Sequence, residues 1–181
     1  QDTPEDMQPW AKALLLSLAS KDWRDAKPEV LQAHLTAALA LPGQDKPEFV
    51  PNVLCPRIGF ELLTDWRTPI LSQLSPAEQN QFRQDPQALW AWVETQFPEK
   101  QCRWHPVLWL QPGAALRLGA SDVKGRRLLF VATLRTLGVP ARLNPVDGQA
   151  QYWDGATFVT VEAAGPAEPM GALTIQFPEP L

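Results

Sequence analysis

The stretch from Ser121 to Glu162 constrains the fold of this chain most tightly. Leu128, Phe130, Val131, Leu134 and Leu137 recur there at helical spacing, and Gly138 with Pro140 beyond it closes the pattern. Glycine enters the left-handed region that ends helices, and proline cannot extend one. Ser121 or Asp122 is placed to accept hydrogen bonds from the N–H groups that a first turn leaves unpaired. Directly afterwards, Ala141 to Pro145, Ala150 to Trp153 and Thr157 to Glu162 read as short strands. They are separated by the turn dipeptides Asp147-Gly148 and Asp154-Gly155, so an antiparallel meander is expected. A helix so rich in apolar side chains needs cover, and the meander after it is the nearest source.

Upstream the pattern is helical. Glu5 and Asp6 precede Trp10, Leu14, Leu15 and Leu18, which predicts an amphipathic helix from about 7 to 20. A charged joint, Lys21 to Asp25, leads to Pro28, which suits the first turn of a second helix carrying Leu31, Leu35 and Leu39 and ending before Pro42-Gly43. A third helix is expected to open at Pro56 and carry Ile58, Leu62, Leu63, Trp66, Ile70, Leu71 and Leu74, kinked or interrupted at Pro69. Ser75-Pro76-Ala77-Glu78 is a capping box, and Asp85-Pro86 starts a helix with Leu89, Trp90, Trp92 and Val93 that stops before Pro98. Prolines and glycines break the run Val107 to Leu110, so Glu99 to Ala120 reads as an ordered loop with one short strand. A last strand is expected from Ala172 to Phe177, with Leu173, Ile175 and Phe177 on one face.

Helices segregated ahead of a small antiparallel sheet define an α+β fold: N-terminal helices, then a core helix packed on the sheet. The expected unit is one domain over residues 1–181, with a helical half to about 98 and a helix-plus-sheet half over about 99–181. Neither half is large enough to bury a sufficient core alone. Composition narrows function. The 181 residues are 45% hydrophobic, without the run of about 18 apolar residues that a membrane span requires. A net charge of −4 with scattered Lys and Arg argues against nucleic acid as a partner. Cys55 and Cys102 allow one disulfide at most. The chain opens on Gln1, which reads as a processed or excised piece.

The segment Gly125 to Gly148 resembles the core helix and first strand of transglutaminase-like domains, which carry a papain-like cysteine-nucleophile fold. The likeness is carried by Leu128 to Arg142, an apolar helix followed by Leu-Gly-Val-Pro-Ala-Arg. Lys21 to Asp25, Pro56 to Glu61 and Gln151-Tyr152-Trp153 are similar to a subgroup found in exported, multidomain bacterial proteins. The resemblance implies a periplasmic or cell-envelope location and flanking domains in a larger chain. It also implies a Cys at the start of the core helix, a His on a following strand and an Asp on the next, forming a thiolate–imidazole–carboxylate triad. The Cys position falls at about Val123. No Cys follows Cys102 and no His follows His105, so triad chemistry is missing, and the resemblance implies an inactive domain.

Polar and aromatic residues around the vacated position form the candidate ligand site: Asp122, Arg126, Arg142, Asn144, Gln151, Tyr152 and Trp153. They suit a peptide, protein or glycan held by hydrogen bonds and stacking. The competing interpretation is an internal Asp122–Arg126 ion pair with Tyr152 and Trp153 packed at the sheet edge. Cys102-Arg103-Trp104-His105 places a thiol near an imidazole and offers an alternative, a cysteine-dependent hydrolase or acyltransferase on peptide or cell-wall material. The ordinary role of such a Cys is a bridge or a buried thiol. The spacings of Cys55, Cys102, His34 and His105 match no zinc module, and no metal or cofactor is expected. Arg57 and Glu61, four apart, and Asp22 or Asp25 are expected to fix helix packing by pairing.

Overall fold

The computed structural model describes residues 4–98 and 109–161. Helices α1 (Gln8–Leu16), α2 (Asp22–Asp25) and α3 (Pro28–Leu39) come first, then a π turn at Val50–Leu54. They are followed by α4 (Arg67–Gln73), α5 (Pro76–Gln84), α6 (Pro86–Gln96), α7 (Pro112–Leu118) and α8 (Val123–Thr136). Strands β1 (Ala141–Leu143), β2 (Ala150–Trp153) and β3 (Phe158–Thr160) form an antiparallel sheet in the order β1-β2-β3. The fold is α+β, and no helix among the described residues is long and apolar enough to cross a membrane.

Helix α8 is the centre of the larger apolar cluster. Leu128, Leu129, Phe130, Val131, Ala132 and Leu134 are all 0% exposed, because α4, α6 and α7 cover one side while β1 and β2 cover the other. At its end Gly138, at φ +82°, donates to the Arg135 carbonyl while Val139 donates to Leu134. That is the paired closure a left-handed glycine permits. Cross-strand register puts Ala141, Leu143, Ala150 and Tyr152 on the face toward α8, and Arg142, Gln151, Trp153, Phe158 and Thr160 on the opposite face. A second cluster joins α1, α3 and the π turn through Leu14, Leu35, Phe49, Val53 and Leu54.

Two local expectations are corrected. No helix opens at Pro56: residues 55–66 run as an irregular loop, and helix resumes only at Arg67, with Pro69 in the first turn of α4, where its missing N–H costs no internal bond. Leu62 and Leu71, read as part of that helical stripe, are 65% and 39% exposed. Within the segment read as loop and strand, Pro112–Leu118 is helix, with Pro112 at its first position. The capping box at Ser75 and Glu78 is formed, and Asp85 caps α6. The expected strand at Ala172 to Phe177 lies outside the described residues, as do Cys102 and His105.

Candidate functional site

Val123, where the resemblance puts the nucleophile, is the first residue of α8 and is 39% exposed. Asp122 caps the helix, its Oδ1 accepting from Gly125 N at 2.7 Å. One turn on, Arg126 Nε donates to the Phe97 carbonyl at 2.7 Å. Both side chains are committed to backbone, so the Asp122–Arg126 ion pair considered from sequence is absent. Ser121 is not the cap. It is 1% exposed with its hydroxyl unpartnered, and it fills the space left by Gly125, where an added Cβ would lie 2.1 Å from Ser121 Oγ. The thiol of Cys55 is free but buried, donating to the Ser17 carbonyl at 3.4 Å.

A buried polar assembly among the described residues was not read from the sequence, although its signal is there. Arg135 follows Val131 by four residues and Leu128 by seven, so it stands on the buried stripe of α8. It is 3% exposed, and Arg67 is 1% exposed. Arg135 Nε donates to the Ala141 carbonyl at 2.8 Å, and Nη1 donates to those of Cys55 at 2.7 Å and Arg57 at 2.9 Å. Arg67 donates to the Arg135 carbonyl at 2.7 Å, to the Val53 carbonyl and to His34 Nδ1 at 3.1 Å. His34 therefore carries its proton on Nε2, which donates to the Thr64 carbonyl at 2.9 Å. Burial, with Arg67 beside it, lowers the His34 pKa to about 4. Burial likewise pushes both guanidiniums below their ordinary values, Arg67 further through its neighbour Arg135. Nearby, Arg57 pairs with Asp22 and approaches Glu61 at 3.4 Å, as the sequence pairing suggested. It does so across a loop that Glu61 closes by accepting from Ile58 N and Gly59 N. This seam joins the two apolar clusters.

The outer face of the sheet is different in kind. Arg142 Nε donates to Gln151 Oε1 at 3.0 Å, and Gln151 Nε2 donates to Thr160 Oγ1 at 3.3 Å. The Arg142 guanidinium lies 3.9 Å over the Phe158 ring, and Phe158 meets Trp153 edge-on at 5.2 Å between ring centres. Trp153 also walls a cleft of about 360 Å³ together with Pro42, Pro47, Phe49 and Pro140.

The seven sequence-selected residues thus occupy separate places. Asp122 and Arg126 stand at the start of α8; Arg142, Gln151 and Trp153 share the outer sheet face. Tyr152 packs on the inner face, and Asn144 stabilises the β1–β2 turn by accepting from Val146 N at 3.0 Å. No group of three or more His, Cys, Asp or Glu side chains among the described residues is arranged to hold a metal. No family model, curated protein or solved structure matches this chain.

Proposed function

We propose that the chain is a catalytically inactive transglutaminase-like domain that acts as a binding or structural module in a larger exported bacterial protein. The observation that carries this reading is the first turn of α8. There an aliphatic Val123 follows a capping Asp122, and neither a thiol nor an imidazole occurs anywhere from residue 106 to residue 181. A valine side chain cannot attack a carbonyl, and strands without histidine supply no general base of the triad type. A core helix backed by an antiparallel meander agrees with the family resemblance, and the polar and aromatic outer sheet face agrees with a binding role. The test is incorporation of a fluorescent amine into a glutamine peptide, with peptide cleavage followed in parallel. The purified protein is expected to show neither, and Cys102→Ala to change nothing.

One observation favours a second reading, a cysteine-dependent hydrolase or acyltransferase using Cys102 and His105. The described residues on either side of that segment both meet the start of α8. Ser121 N donates to the Pro98 carbonyl at 3.4 Å, and Lys124 Nζ lies 5.5 Å over the Trp109 ring. Thiol-dependent turnover abolished by Cys102→Ala would establish this reading and overturn the first.

A further inference from the structure

We propose that the outer face of the sheet is a peptide-carboxylate site, in which Arg142 receives a carboxylate and the cleft walled by Trp153 takes an adjoining apolar side chain. The inference rests on the binding-module reading and names what the module binds.

Arg142 is oriented before any ligand arrives. Gln151 fixes its Nε, Thr160 fixes Gln151, and Phe158 supports one face of the guanidinium. Gln151 is itself only 8% exposed, so this support is set within the sheet. The two Nη groups have no partner among the described residues, and no acidic side chain there pairs with Arg142. Asp154, in the following turn, spends its Oδ1 on the N–H groups of Ala156 and Thr157, each at 2.8 Å. A half-buried cation with no counter-charge among the described residues is a fork left open there, and the planar fork matches a carboxylate in a bidentate manner.

Trp153 shares the outer face with Arg142, meets edge-on the Phe158 ring that carries the guanidinium, and lines the cleft, so it links the two. Pro42, Pro47 and Pro140 give the cleft stiff walls, which reduces the ordering cost of binding. The rings argue for a peptide over a sugar. Phe158 has one face under the guanidinium and meets Trp153 edge-on, so the pair offers no continuous flat platform for a pyranose.

The carboxylate can come from a peptide C-terminus or from an Asp or Glu side chain, and three probes separate these: acetyl-Ala-Pro-Phe, its C-terminal amide, and acetyl-Phe-Glu-amide. Each is titrated into the wild type, Arg142→Gln and Arg142→Lys by calorimetry, with melting temperatures recorded and peptide integrity followed by chromatography. At least one acid peptide is expected to bind tenfold or more tightly than the amide in the wild type. Arg142→Lys should weaken that preference, and Arg142→Gln should abolish it at an unchanged melting temperature. Binding by the tripeptide acid alone assigns the C-terminus, and binding by the glutamyl peptide assigns a side chain. Equal affinity for acid and amide, a preference that survives Arg142→Gln, absence of binding by every peptide, or binding of a chitin tetramer at Arg142 instead would overturn the inference. Peptide turnover in the same tubes would overturn the non-enzymatic reading separately, because the carboxylate preference is measured independently of it.

Discussion

Two sets of arginines divide this molecule. Arg67 and Arg135 are buried, and their observed hydrogen bonds end on backbone carbonyls or on His34. Arg142 is half-buried, aimed by Gln151 and Phe158, and keeps its outer donors free among the described residues. The same side chain serves in one place to satisfy loop backbone that no helix or sheet satisfies, and in the other to present a charge. Accessibility of the donors, rather than the presence of charge, separates arginines committed within the fold from one that is open to a ligand.

The contrast predicts unequal effects. Arg135→Met should be the most damaging, because the carbonyls of Ala141, Cys55 and Arg57 lose their donor while remaining covered. At about 1–3 kcal/mol for each buried unsatisfied group, a loss of at least about 3 kcal/mol is expected in urea unfolding. A change below about 1 kcal/mol, within the range of an ordinary surface substitution, would mean the seam contributes little.

What was complete within a few residues was legible in the sequence and what depended on distant partners was not, for a physical reason. The stripe of α8, the Gly138 stop and the caps at Ser75 and Asp85 are local signals, complete within a few residues. Residues 55–66 carry helical spacing of apolar side chains, yet their backbone is held by Arg135, 78 residues or more away, and by Glu61 closing its own loop. A periodicity argument cannot register such a partner. The candidate site divided for a similar reason. Arg142, Gln151 and Trp153 share a face that strand alternation and register determine, whereas Tyr152 between them must face α8.

Acid is expected to act on the buried arginines through His34. His34 stays neutral in the fold down to about pH 4, against 6.5 in its ordinary state. Between those values the unfolded chain binds a proton that the folded seam refuses. Stability is therefore complete above pH 6.5 and declines as pH falls toward 4, by about 3 kcal/mol in all. Urea unfolding at stepped pH should show the decline, and His34→Gln should flatten this part of the curve. An unchanged slope would show that His34 titrates alike in both states.

Removing the cap of α8 with Asp122→Ala should cost about 1 kcal/mol, read from the same unfolding curves, and leave the acid-peptide preference intact. A lost preference would place the ligand at the helix start instead of the sheet. Arg142→Gln should be the mildest for stability, within about 0.5 kcal/mol; a larger loss would place Arg142 with Arg67 and Arg135 as a structural arginine.

The proposed function requires that no activated thiolate stand at the start of α8. Alkylation of the folded protein by iodoacetamide, followed residue by residue by mass spectrometry across pH 5 to 9, tests it most directly. Cys55 is predicted to react slowly because it is buried, and Cys102 to react with the pH dependence of an ordinary thiol, pKa about 8.5. Rapid labelling of Cys102 already at pH 6 would reveal a depressed thiol pKa and contradict the claim.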